Sequence, residues 1–74
     1  MEIDGIEIQT VDWKEEDTYV IKEAITGVTT QGKTIEEALD NLKEAMQLYV
    51  EEVPETRELL KNIKTIGAMS VEIT

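Results

Sequence analysis

Carboxylates are the one abundant reactive group in this chain. Seventeen Asp and Glu stand against seven Lys and Arg, with no histidine and no cysteine. The commonest general base, the commonest metal ligand and the usual thiol nucleophile are therefore missing. What remains is oxygen chemistry: Glu15-Glu16-Asp17, Glu36-Glu37 and Glu51-Glu52 carry the ligand type that holds Mg²⁺ or Ca²⁺. Adjacent residues on a helix do not share a face, so Glu36-Glu37 and Glu51-Glu52 make poor ligand pairs. These clusters read as solvated surface charge. No catalytic residue, metal ligand or cofactor is assigned, and the chain is not expected to be an enzyme.

One further string has the form of a chemical motif. Gly27-Val28-Thr29-Thr30-Gln31-Gly32-Lys33-Thr34 satisfies the GxxxxGK[ST] spacing of a phosphate-binding loop. Such a loop works in a parallel sheet, with an acidic magnesium partner on a second strand, and 74 residues leave no room for that arrangement. The match reads as accidental, and no nucleotide is expected.

The elements that would carry these residues are legible from periodicity. Residues 3–13 read as a strand with Ile6 and Ile8 in one phase and Val11 and Trp13 in the other. The phase slips near Gln9 and Thr10, which predicts a bulge or a sheet covered on both faces. Lys14, Glu15, Glu16 and Asp17 form a charged turn. Residues 18–25, rich in β-branched and aromatic types, make a second strand paired to the first as a hairpin. Gly27 ends it, and residues 28–31 give a short third strand ending at Gly32.

Thr34 followed by Glu37 is a capping box. Ile35, Ala38, Leu39, Leu42, Ala45, Met46 and Tyr49 then recur at spacings of three and four, forming one apolar stripe on a helix that runs to about Glu52 and faces the sheet. Glu36, Asp40, Lys43, Glu44 and Gln47 fall on the solvated side. Pro54 interrupts, and residues 55–61 make a second short helix. Residues 63–74 read as a last strand, with Met69, Val71 and Ile73 alternating and Gly67 marking a bulge. The expected fold class is α+β in the order β-β-β-α-β, an antiparallel sheet with one long helix packed on a face.

Residues 1–74 are expected to form a single domain with one core. A core in so short a chain rarely supplies more than about 3 to 5 kcal/mol, and without cysteine no disulfide or thiolate metal site adds to it. Self-association, as a homodimer or larger homo-oligomer, is the expected supplement. The formal charge of −10 repels nucleic-acid phosphates, so direct DNA or RNA binding is not expected, and it favours encounter with a basic partner. No run of apolar residues is long enough to span a membrane, and the N-terminal residues lack the pattern of a signal peptide. A soluble, cytoplasmic protein is expected.

The residues Gly27-Val28, Gln31-Gly32, Thr34, Glu37-Ala38-Leu39, Asn41-Leu42, Glu44-Ala45 and Leu48-Tyr49, with Tyr19-Val20 upstream, resemble the signature of the HicB-like antitoxin family. The core of the likeness is T-x-x-E-A-x-x-N-x-x-E-A. This resemblance implies a fold similar to a degraded ribonuclease H domain. It also implies a function: occlusion of a small basic ribonuclease toxin of the HicA type. In many family members a ribbon-helix-helix or helix-turn-helix module follows, and residues 1–74 contain no appended DNA-binding module of that kind. Lys33 stands where the family commonly has an acidic residue, and no proline precedes Gly27.

The leading expectation is thus a toxin-antitoxin binding protein, with Trp13, Glu15, Glu16, Asp17 and Tyr19 as its contact residues, because aromatic side chains dominate interface energetics. The alternative is a homo-oligomeric structural or interaction domain with no toxin, its last strand pairing edge to edge. Trp13 as a cap on the core is the bland reading of that residue.

Overall fold

The computed structural model describes residues 2–3 and 5–63. The first surprise is in the strand expected over residues 3–13. β1 (Glu2–Ile3) and β2 (Ile6–Glu7) pair antiparallel with Ile3 opposite Ile6. Gly5 between them has φ +78, in the left-handed region that glycine enters without steric cost. In a continuous strand Ile3 and Ile6 would point to opposite faces. Reversal makes them direct cross-strand partners on one face, and Ile8 joins them; all three are buried. The ladder resumes only at β3 (Thr10–Glu15). The phase slip is therefore resolved by breaking the strand, not by a bulge, and the sheet becomes two.

β3, β4 (Thr18–Glu23) and β5 (Thr29–Gly32) form the larger antiparallel sheet in the order β3-β4-β5. Trp13 faces Val20, Lys14 faces Tyr19, and Tyr19 faces Gly32. The expected hairpin is present, reversing at Glu16 and Asp17 between the Glu15–Thr18 pair.

β4 leaves the sheet through a turn held by a buried carboxylate. Glu23 is fully buried. One carboxylate oxygen accepts from the Ile25 amide at 2.7 Å; the other accepts from the Thr26 amide at 2.6 Å and from the Thr26 hydroxyl. Its own amide donates to the Val28 carbonyl at 2.8 Å, and its carbonyl accepts from the Gly27 amide at 3.0 Å. Four of these five bonds are local, so the turn is specified by one side chain and its backbone.

α1 (Ile35–Glu52) starts at an extended Thr34 whose hydroxyl accepts from the Glu37 amide at 3.1 Å. Glu36 and Glu37 in the first turn suit the positive end of the helix dipole. Thr34→Ala is expected to remove about 1 kcal/mol, seen as a lower urea midpoint with an unchanged slope. Of the predicted stripe, Ala38, Leu42 and Met46 are buried and Ile35, Leu39, Ala45 and Tyr49 half-buried, while the predicted solvated residues are all exposed. α2 (Glu55–Asn62) follows Pro54 and buries Thr56 and Leu60.

One apolar cluster unites these parts: Ile3, Ile6 and Ile8, Ile21 of β4, Ala38, Leu42 and Met46 of α1, and Leu60 of α2. Two cross-links fix α1 on the sheet. Thr30 donates from its hydroxyl to the Ala38 carbonyl at 2.9 Å, and the Asn41 amide donates to the Gln31 carbonyl at 2.9 Å. The class is α+β, with antiparallel sheets and two helices. The predicted last strand, with its bulge at Gly67, lies outside the described residues beyond Ile63.

Candidate functional site

Strand alternation sorts the sheet into two faces. Tyr19, Ile21 and Glu23 of β4, with Thr30 and Gly32 of β5, lie toward α1. Val11, Trp13 and Glu15 of β3, Val20 and Lys22 of β4, and Thr29 and Gln31 of β5 lie on the opposite face. On this outer face Val11 is 56% and Trp13 38% exposed, both large apolar side chains in water. Val20 is only 7% exposed yet stands apart from the main cluster. The register puts it between Trp13 and Gln31. Val11, Trp13 and Val20 therefore make up an apolar stretch of this face outside the main cluster.

The hairpin tip continues this face into negative charge. Trp13 donates its indole N–H to a Glu15 carboxylate oxygen at 3.0 Å, which holds the ring along the strand toward the tip. Glu15, Glu16 and Asp17 are all exposed, and a shallow depression beside them is lined by Glu15, Glu16, Thr18 and Gln31. Glu16 has φ +52. A glycine fits that left-handed conformation more easily; a β-carbon there costs on the order of 1 kcal/mol. The tip thus keeps a carboxylate at some expense in stability.

Of the five residues singled out in the sequence, the structure brings Trp13, Glu15, Glu16 and Asp17 together and separates Tyr19 from them. Tyr19 pairs with Lys14 on the helix side, packs against the core, and has the Lys14 ammonium 5.3 Å from its ring centroid. A two-residue turn makes Trp13 oppose Val20, so Tyr19 takes the other face. Val11, Val20, Lys22 and Gln31 complete the outer face and were not singled out. The alternation of Val11, Trp13 and Glu15 was the available signal.

The other sequence candidates resolve into structure. The phosphate-loop string is occupied by β5 and the α1 cap: its residues 29–32 are extended in the sheet ladder, and Thr34 is engaged at the helix start. Among the described residues no group of three or more Asp or Glu converges as a metal site would require. Among the same residues, no helix is long and apolar enough to cross a membrane.

Comparison with known proteins gives a family without a known role. The model of a family described as "Family of unknown function (DUF7387)" matches residues 3–68. A curated relative, UPF0150 protein Ta0767 of Thermoplasma acidophilum, is 45% identical over 47 residues, covering 61% of this chain and 68% of its own length. No solved structure matches.

Proposed function

We propose that this chain, which belongs to the DUF7387 family of unknown function, is an antitoxin-like binding protein that sequesters a small basic ribonuclease of the HicA type in the cytoplasm. The observation that carries the reading is an exposed tryptophan set directly beside a projecting acidic hairpin, on a chain of charge −10. A basic protein would be steered by the field of the whole molecule and anchored where Trp13 and Val11 can be desolvated. The HicB-like signature, which lies largely in packing residues of β5 and α1, supports the same class of partner. It carries the scaffold, while the outer face carries the contact. The role proposed for this face is occlusion of the partner.

The test is to recover the tagged chain from its native cells at low salt and to weigh what accompanies it in near-stoichiometric amount. A small basic companion is expected, with RNA cleavage that stops when one equivalent of the chain is added, and binding that weakens steeply as salt rises. Recovery of the chain alone, or of a companion without nuclease activity, would refute the toxin reading. Trp13→Ala then tests the face. Because Trp13 is 38% exposed and stands outside the core cluster, a loss of no more than about 1 kcal/mol in stability is expected, against a loss of tenfold or more in partner affinity. A collapsed melting transition would instead make Trp13 a structural cap.

A further inference from the structure

The outer face of the larger sheet is built in rows. Cross-strand register sets Val11, Lys22 and Thr29 side by side, then Trp13, Val20 and Gln31, then Glu15 beside Thr18. Successive rows are two residues, about 7 Å, apart along the strands. Charge on this face is confined to its two ends. Lys22 is exposed at one end, its ε-carbon 3.9 Å from where a β-carbon on Gly27 would stand, and Glu15, Glu16 and Asp17 are exposed at the other. Val11 and Trp13, 56% and 38% exposed, fill β3 short of the acidic tip.

This pattern is complementary to itself, and we propose that the face packs reversibly on the same face of a second copy of the chain. The twofold axis lies between the two sheets, across the strands and level with the Trp13 row. It sets the row of Trp13, Val20 and Gln31 of each copy over that of the other and turns the strands end for end. Lys22 of each copy then comes over the acidic tip of the other, and two long side chains span the roughly 10 Å between packed sheets. A twofold axis along the strands would instead stack lysine on lysine and tip on tip, which like-charge repulsion disfavours. The contact uses the face and neither edge of the sheet, so it is indifferent to what pairs with those edges. Strands of six, six and four residues outline a face of roughly 300 Å², well under the about 800 Å² per partner of a standard complex. The dimer is therefore weak. On the reading of this face as the contact for a basic partner, on which this consequence rests, self-association hides the contact until a tighter-binding partner displaces the second copy.

Sedimentation equilibrium and the emission of Trp13, the one tryptophan of the chain, test the dimer without any partner. As concentration rises from micromolar to millimolar, the mass should climb toward that of two copies. Over the same range the emission maximum should move to shorter wavelength, because both rings leave water. Lys22→Glu and Glu15→Lys should each move this transition to about tenfold higher concentration or more, since each places like charges opposite. An equimolar mixture of the two variants should recover the association, because one copy then carries glutamate at both positions and the other lysine. Lys22→Glu should also leave the capture of a basic partner equal or stronger, which parts self-association from partner binding at one residue. A chain monomeric at millimolar concentration, association that leaves Trp13 emission unchanged, indifference to both single changes, or a mixture no better than either variant alone would overturn the proposal. So would short-wavelength emission that is independent of concentration, because the face would then be covered from within the chain. These readouts need only the chain itself, so their failure is told apart from failure of the toxin reading.

Discussion

Gly32→Val is expected to leave the chain largely unfolded, and Gly32→Ala to lower its melting temperature by roughly 10 °C or more. A β-carbon at Gly32 would lie 2.6 Å from the Ala38 amide nitrogen and 2.9 Å from the Glu37 β-carbon. Two of the three nearest atoms are helix backbone, which cannot rotate away as a side-chain end can. Relief requires α1 to lift from β5, and that movement would also strain the Thr30–Ala38 and Asn41–Gln31 hydrogen bonds. Overpacking of this kind costs about 1 to 3 kcal/mol for added methyl groups. The upper end applies where the neighbour is rigid, and a core of this size supplies only about 3 to 5 kcal/mol in all. Thermal unfolding followed by circular dichroism measures it. A Gly32→Ala protein melting within about 2 °C of the parent, well under the shift that 1 kcal/mol produces in a domain of this size, would show that the close approach of β5 and α1 is not a constraint.

The second large effect is expected at Glu23, a residue with no apparent role in the sequence. Glu23→Ala leaves the amides of Ile25 and Thr26 without their acceptors in a partly buried turn. Hydrogen bonds to a charged group contribute about 1.5 to 3 kcal/mol each, and unmade buried donors cost about 1 to 3 kcal/mol. Some of this is recovered by water, so a loss of about 2 to 4 kcal/mol is expected. Glu23→Gln discriminates between shape and chemistry. Its volume is nearly the same, but it has one oxygen where two backbone amides need one each, so it should be almost as damaging as alanine. Faster amide exchange at Ile25 and Thr26 should accompany the loss. The Thr26 hydroxyl also lies 3.8 Å from the Met46 sulfur, so disorder in the turn is expected to reach α1. Near-parental stability of Glu23→Gln would mean that the turn holds without a second acceptor.

These two residues show where sequence reading stops. The start of α1, its apolar stripe and the break at Pro54 were legible because each depends on residues within one or two turns of each other: a Thr34 hydroxyl reaching Glu37, apolar positions three and four apart, a proline without an amide. The hairpin of β3 and β4 was legible for the same reason. Gly32 was visible only as the end of a strand. The helix backbone that forbids a side chain there begins a few residues on, but the distance is set by how α1 crosses β5.

The outer face falls between these cases. That Trp13 and the acids of the tip belong together follows from their neighbourhood in the chain. That Tyr19 does not belong with them depends on register, and one residue more or less in the turn would have reversed it. The strand expected over residues 3–13 failed for a related reason. Spacings of three and two between Ile3, Ile6 and Ile8 fit no single strand, and only the reversal at Gly5 puts all three in the core.

By itself the sequence determined the α+β class, the helix with its cap and buried stripe, the central hairpin, and a formal charge of −10. Tertiary structure alone decided which acid is buried, which aromatic ring is exposed and where the first strand breaks. Secondary structure and charge arise from interactions between near neighbours or from simple sums, whereas burial and facing belong to pairs of residues that only the fold brings together.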